Sequence, residues 1–206
     1  MRNMFVSRSE AAAVIGTGAV ALLAGSEAAL ASLPPGQWIG GTTVYFMTDQ
    51  GVVVDTERLF CTVIDEAVEA RIAHFALAEH SILTAGQYRN GFTYVLVPAF
   101  SAAHRSYALN AAGFANLDAQ PVMGWVTGVA VDEIGVRPPK VFHGATGQAF
   151  EDAVLALYVC LPDGITAELD TVNLFTQGTG PEIVFPQTGF LAGDCLVDGE
   201  PARIGD

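Results

Sequence analysis

Residues 92–98 read FTYVLVP, an almost continuously apolar run that is rich in β-branched and aromatic residues and ends at a proline. Such a run predicts a buried strand. Ser101 follows it and is a residue type that caps helices, so we predict a helix over 101–116. The apolar segment 121–126 predicts a second strand. A strand, a helix and another strand in this order favour a sheet with parallel pairing.

The segments before this unit also alternate between strands and helices. Ser7 and Glu10 have the spacing of a capping box, which predicts a helix start. Residues 65–84 show helical spacing of Ile72, Phe75 and Leu83, which predicts a longer helix. The remaining predictions are a strand over 19–24, a short helix over 26–33, and a hairpin or meander over 38–47, 52–54 and 59–64.

The last third differs because it has no long helical pattern. Its extended runs lie at 140–142, 153–161, 165–175 and 182–185, joined by Gly, Pro and Asp turns. We therefore predict an α/β (α+β) protein, with a mixed sheet and flanking helices in the first two-thirds and an antiparallel β-meander in the last third. One domain spans 1–206, with a possible subdivision near Val129 into a βα part and a mostly β part.

Charge and cysteine content exclude several classes of partner. The net charge is −13, Lys140 is the single lysine, and the arginines are scattered, so nucleic acid and anionic lipid surfaces are disfavoured. Three cysteines without a CxxC pair predict neither a disulfide framework nor a zinc site. Cys61 and Cys160 lie in apolar runs, whereas Cys195 near a turn is the candidate for a reactive thiol.

The N-terminus has two interpretations. Arg2, Arg8 and the apolar residues 11–24 imitate a signal peptide, whereas the capping box favours a folded start. The apolar run is shorter than the roughly 20 residues that span a bilayer, so no membrane span is predicted. We expect a folded start and a cytoplasmic protein; the alternative is export, if residues 1–32 act as a signal peptide.

The familiar catalytic motifs are missing from the sequence. It contains no Gly-x-Ser-x-Gly elbow, no phosphate-binding loop and no metal-binding histidine pair. Ser101 and His104 are close in sequence, but Ser101 is better explained as a helix cap. An enzyme that uses the loop carboxylates Asp132, Glu133 and Asp194 is an alternative function, as is a non-catalytic subunit that docks onto a larger assembly.

Five residues are candidates for ligand binding: Gly40, Gly41, Thr42, Trp125 and His143. Two glycines inside a strand indicate a bulge or a close approach to the backbone. That approach is made either by a ligand or by helix-to-sheet packing. His143 ends a predicted strand beside a glycine. In one interpretation it lies at a pocket rim, where its imidazole binds a ligand or a haem iron. In the other it is a histidine on a surface loop.

The C-terminal half resembles the FIST family of sensory domains from bacterial signalling proteins. The similarity lies in the strands at 92–98 and 121–125, the stretch 140–144, the apolar strand at 153–161, and the ending at 193–202, which reads GDCLVDGEPA. Residues 38–41 also match a family strand that runs into small residues. The chain is shorter than a two-part FIST unit, which suggests a compact or truncated single-domain variant.

The resemblance implies a sensory or ligand-binding domain that recognises a small molecule and signals through a separate partner. It also implies haem as a possible cofactor, because some relatives bind haem. No haem ligand can be transferred residue by residue, so His143 is chosen by its location alone.

Overall fold

In the computed structural model, which describes residues 1–204, the strand predicted at 92–98 spans Gly91–Pro98 inside a four-stranded sheet. The chain forms two compact units, Met1–Leu169 and the part from Asp170 onward. The strands and α-helices of the first unit are β1 (Arg2–Val6), α1 (Arg8–Gly16), β2 (Ala21–Gly25), α2 (Glu27–Ala31), β3 (Trp38–Thr42), β4 (Tyr45–Thr48), β5 (Gly51–Val54), β6 (Leu59–Val63), β7 (Glu69–Phe75), β8 (Gly91–Pro98), α3 (Ala102–Asn110), β9 (Val122–Thr127), β10 (Val141–His143), β11 (Gln148–Phe150) and β12 (Val154–Cys160).

One sheet has six strands in the order β1-β6-β2-β3-β10-β11. Its β2–β3 pair is parallel and its other pairs are antiparallel. Both α1 and α2 cover one face of this sheet, because small and branched residues of the helices pack on the large side chains of the strands. This outer core includes Ala11, Ile15, Leu23, Leu30 and Trp38.

The second sheet has four strands in the order β7-β12-β8-β9, with β8–β9 parallel. Its outer face is covered by α3 and by a 3-10 helix at Leu77–Gly86. The inner faces of the two sheets meet in an aliphatic core that includes Ile39, Leu96, Val141, Leu155 and Leu157. The first unit therefore has four layers, helices–sheet–sheet–helices, and the predicted mixed α/β class is confirmed.

Serine caps start all three α-helices. The Oγ of Ser7 accepts from the Glu10 amide at 3.3 Å, and the Glu10 carboxylate accepts from the Ser7 amide at 2.8 Å, so the predicted capping box is confirmed. The hydroxyls of Ser26 and Ser101 cap α2 and α3 by accepting from the amides of Ala29 and His104, without a reciprocal carboxylate. The folded N-terminal segment is thus present as predicted, with the unpredicted β1 as its first strand.

The prediction of a helix over 65–84 is wrong. This segment forms β7 followed by the 3-10 helix. Ile72 packs between the sheets, whereas Phe75 packs on the opposite face, which is the alternation of a strand. Glu69 and Ala70 favour a helix, so the alternation of apolar and polar residues was not recognised. The segment forms a strand because β7 pairs with the buried β12, and this pairing outweighs the helix propensity of the two residues.

The strands after Val129 pair antiparallel, as predicted, but they join three different sheets. The β10–β11 hairpin extends the six-stranded sheet, and β12 lies at the centre of the four-stranded sheet. The predicted extended run 165–175 forms no strand, and the predicted helix over 101–116 ends at Asn110 as an α-helix. The division between the two compact units falls at Leu169–Asp170.

The second unit contains a small antiparallel sheet of β13 (Ile183–Val184), β14 (Asp194–Val197) and β15 (Glu200–Arg203). Asp198 and Gly199 turn β14 into β15 with φ values of 51° and 88°. Both residue types tolerate this left-handed region, so the Asp-Gly pair explains the hairpin. Within residues 1–204, no helix combines the length and apolar character needed to cross a membrane.

Candidate functional site

An apolar cavity of about 530 Å3 lies between the two sheets of the first unit. Strands β2 and β6 form one wall, β8 and β9 form the opposite wall, and the β4–β5 hairpin and residues 128–129 complete it. Its lining residues are Leu22, Ala24, Thr43, Tyr45, Phe46, Met47, Phe60, Thr62, Tyr94, Trp125, Val126, Gly128 and Val129. We call this space the inter-sheet cavity.

Aromatic side chains form much of the wall. Tyr45 and Phe46 come from the hairpin, Phe60 from β6, Tyr94 from β8 and Trp125 from β9. Phe46 is almost fully buried, and its ring lies 5.0 Å from that of Phe5. This contact holds the hairpin against the edge of the six-stranded sheet.

Most polar groups of the wall already have partners within the protein. The Tyr45 hydroxyl accepts from the Val131 amide at 2.8 Å, and the Thr62 hydroxyl donates to Asn3 at 2.8 Å. Thr43 accepts from the Tyr45 amide at 3.2 Å. The Tyr94 hydroxyl differs, because it forms no hydrogen bond with any described residue, and Tyr94 is a half-buried residue of the wall. No charged side chain is among the lining residues.

Of the predicted site residues, Trp125 lines this cavity, and its indole also packs against Gly41. A Cβ atom on Gly41 would lie 3.0 Å from the Trp125 Nε1 and 2.4 Å from the Thr127 Cγ2. Only glycine therefore lets the indole and Thr127 approach β3 so closely. The Trp125 Nε1 is buried against this backbone and has no hydrogen-bond partner among the described residues. The indole contributes its ring to the cavity wall.

Gly40 and Thr42 have structural roles: Gly40 allows a helix to pack on the sheet, and Thr42 bonds β3 to the segment that precedes β10. A Cβ on Gly40 would lie 2.8 Å from Leu30 on α2 and 3.1 Å from Trp38, so Gly40 serves helix-to-sheet packing. The Thr42 hydroxyl accepts from the Lys140 amide at 2.9 Å, which ties β3 to the chain before β10. Neither residue lines the inter-sheet cavity.

His143 lies at the end of β10, where its carbonyl accepts from Thr146 and Gly147 in the turn to β11. Burial lowers the pKa of its imidazole, and the neighbouring His74 lowers it further. The lining of the inter-sheet cavity does not include His143. Trp125 and His143 therefore do not form one site.

Haem does not fit at His143. An axial histidine needs an apolar slot beside it that is large enough for the macrocycle. His143 lines neither the inter-sheet cavity nor the larger cavity of about 900 Å3, and its Nδ1 is buried without a hydrogen-bond partner in the described part of the chain. The candidate haem ligand is thus not supported by its surroundings.

Sequence reasoning missed Tyr94, Phe60 and Leu22, which line the cavity from three different strands. Tyr94 could have been identified from the sequence, because it is the one large residue of the run 92–98 whose side chain ends in a polar group. A tyrosine in a buried strand usually places its hydroxyl at a partner or a cavity. Phe60 and Leu22 have no such signal, because only tertiary packing brings them together.

The 900 Å3 cavity lies beside α3 and is lined largely by residues 112–122 and 167–169. It includes the exposed carboxylates Asp118 and Glu168, and it has a more polar lining than the inter-sheet cavity. The apolar, strand-built cavity is therefore the better candidate for recognition of a small molecule.

The carboxylates considered for an enzyme have structural surroundings. Asp132 and Glu133 belong to one 3-10 turn, and the Glu133 carboxylate lies 3.4 Å from the Arg137 guanidinium. In the second unit, the Asp194 carboxylate lies 3.5 Å from the Arg203 guanidinium. Ser101 caps α3, as expected. Residues 1–204 contain no group of three or more His, Cys, Asp or Glu side chains arranged to hold a metal ion.

The cysteines are unpaired. Cys61 is buried in β6, and burial raises the pKa of its thiol to about 11. Cys195, the candidate for reactivity, is 4% exposed, so solvent reaches it poorly. A reactive cysteine is usually accessible and has a lowered pKa.

The fold and the cavity define a four-layer α/β protein with an apolar chamber between its sheets. The chain belongs to a family of unknown function, DUF6976, whose model matches residues 6–206. No curated protein and no solved structure matches the chain. The resemblance to the FIST family stays a prediction.

Proposed function

We propose that this protein binds a small apolar molecule in the inter-sheet cavity and acts as a sensory or ligand-binding module. One observation carries the proposal: a 530 Å3 space with aromatic walls and no charged lining residue lies between two otherwise well-packed sheets. Small-molecule sites are typically apolar clefts of roughly 300–1,000 Å3 with a few polar groups.

The energetics favour an apolar occupant. Apolar surface removed from water contributes about 25 cal/mol per Å2, so a ligand that covers these walls gains affinity without an ionic contact. A ligand that binds the folded protein and not the unfolded chain also stabilises the fold.

The β4–β5 hairpin provides a route from the cavity to a separate signalling partner. Tyr45 and Met47 line the cavity, and Met47 is also 72% exposed. Val52, which pairs with Met47, and Val54 are exposed on the hairpin as well. We propose that ligand contact with Tyr45 and Met47 changes the surface that a partner meets.

The same apolar hairpin surface favours a second candidate function, docking onto a larger assembly. Exposed apolar patches often mark interaction sites. Light scattering after size-exclusion chromatography tests this candidate. A complex that Met47→Lys disrupts supports docking, and a monomer with no partner in pull-downs contradicts it.

We also propose a cytoplasmic location, supported by the three unpaired cysteines. Free thiols are typical of reducing compartments. Fractionation of cells that produce the full chain tests the location, and recovery of the protein outside the cytoplasm contradicts it.

The binding proposal is tested with Nile red, an uncharged apolar dye whose emission rises in apolar surroundings. We expect saturable binding to the natural protein and at least tenfold weaker binding to Ala24→Phe, because the added ring occupies the cavity. Ala149→Phe is the matched control, since Ala149 is exposed on β11. Val129→Phe tests the wall independently if Ala24→Phe does not fold. Equal binding by all folded variants contradicts the proposal.

A further inference from the structure

The charges around the inter-sheet cavity restrict its ligand. The thirteen lining residues include no Asp, Glu, Lys, Arg or His. A charged ligand group placed against such walls loses its hydration without gaining an ion pair, which weakens binding strongly. The part of the ligand inside the cavity is therefore neutral.

The walls also restrict the shape of the ligand. Phe60 stands on the six-stranded sheet, whereas Tyr94 and Trp125 stand on the facing sheet. Aromatic rings pack favourably against flat π systems in offset or edge-to-face arrangements, beyond the benefit of buried area. A flat aromatic body fits between such walls better than a branched aliphatic one.

One hydroxyl group of the lining side chains forms no hydrogen bond with a described residue. Among the side chains that line the cavity, the Thr43 and Thr62 hydroxyls donate within the protein, and the Tyr45 hydroxyl accepts from the Val131 amide. The Trp125 Nε1 is sealed against Gly41. Tyr94 is half-buried in the cavity wall, and its hydroxyl forms no hydrogen bond with a described residue. Burial raises the pKa of this phenol above its ordinary value, so the hydroxyl stays protonated and donates at neutral pH.

An apolar ligand that covers Tyr94 without accepting its hydrogen bond strips the phenol of water and leaves it unpaired. Such a loss weakens binding by roughly tenfold or more, whereas a made bond is net favourable. We infer that the ligand is a neutral, flat aromatic compound whose single oxygen accepts a hydrogen bond from Tyr94. This inference rests on the proposed binding function.

Three naphthalenes of similar size test the inference by equilibrium dialysis against the full chain. 2-Acetylnaphthalene carries a carbonyl oxygen, 2-isopropenylnaphthalene has a methylene group in place of that oxygen, and 2-naphthoate carries a charge. We expect the natural protein to bind the ketone roughly tenfold more tightly than the alkene. It should bind the naphthoate weakest. Hydrophobic burial alone predicts the opposite order for the ketone and the alkene, because the alkene is more apolar.

Tyr94→Phe removes the hydroxyl and keeps the ring, so it should abolish the preference for the ketone while the alkene still binds. Equal affinity of the natural protein for ketone and alkene overturns the inference but leaves the proposed function intact, because both probes bind. A ketone preference that persists in Tyr94→Phe overturns the role of Tyr94, and tight binding of the naphthoate overturns the neutral class. If none of the probes binds, and Nile red does not bind either, the proposed function itself fails.

Discussion

The layer between the two sheets has a filled half and an open half. In the filled half, β3 and β10 face β8 and β12, and Ile39, Val141, Leu155 and Leu157 are fully buried. In the open half, β2 and β6 face β9 across the inter-sheet cavity, and five of the thirteen lining residues are aromatic. The same two sheets therefore support both a close-packed core and a chamber.

The difference shows how a sandwich keeps a cavity open. Aliphatic side chains from facing strands interdigitate and leave no space, as in the filled half. In the open half, the β4–β5 hairpin borders the cavity. The absence of a side chain at Gly41 lets the Trp125 indole pack against β3. The filled half therefore contributes more to stability than the open half.

Leu157→Ala tests the filled half and has the largest expected effect. Leu157 is fully buried on the central strand β12, so its truncation should lower the free energy of unfolding by roughly 2–5 kcal/mol. Val126→Ala, on the open wall at 47% exposure, should cost less than about 1 kcal/mol. Urea denaturation measures both. Equal losses would show that the two halves are packed alike.

Gly41→Ala tests the boundary between the halves. The added methyl group would lie 2.4 Å from the Thr127 Cγ2, so we expect a loss of about 1–3 kcal/mol and a shift in Trp125 fluorescence. Gly16→Ala is the control, since its Cβ meets no atom within 4 Å. That change should stabilise by about 0.5 kcal/mol. A stable Gly41→Ala protein with unchanged fluorescence contradicts the close approach.

His80→Leu tests a buried polar side chain outside the inter-sheet cavity, for comparison with Tyr94 in the cavity wall. His80 is 3% exposed, and neither ring nitrogen has a hydrogen-bond partner in residues 1–204. Burial lowers the pKa of the imidazole, although the Phe75 carbonyl, which lies near the ring but outside hydrogen-bond geometry, and Asp152 oppose the shift. Removal of these unpaired groups should stabilise the fold by roughly 1 kcal/mol at pH 7.

The pH dependence gives the sign of the His80 effect. The unfolded chain binds the His80 proton more readily than the folded protein, so the natural protein loses stability as the pH falls below about 6.5. His80→Leu should lose less stability over the same range. Thermal melts from pH 7.5 to 5 measure the difference, and parallel curves would contradict the assignment.

Local patterns predicted the main elements of the fold. The apolar run at 92–98 and the serine caps identified β8, α1, α2 and α3, because propensity and capping act within a few residues. The alternation in β7 was misjudged, since Glu69 and Ala70 favour a helix in isolation. Its strand form depends on β12, some 80 residues later in the chain.

The candidate site was only partly predictable for the same reason. Gly41 and Trp125 were identified from a strand glycine and an aromatic residue, and the structure places them in contact. His143 was chosen by location, and it does not line the cavity. Distant strands assemble the cavity, and the register that brings Leu22, Phe60 and Tyr94 together is not visible in any short segment.

A crystal structure of the protein soaked with 2-acetylnaphthalene tests the central claim most directly. The account predicts ring density in the inter-sheet cavity between Phe60 and Trp125, with the ketone oxygen within hydrogen-bond distance of the Tyr94 hydroxyl. A cavity filled by the protein's own side chains, or a ligand bound only elsewhere, would contradict it.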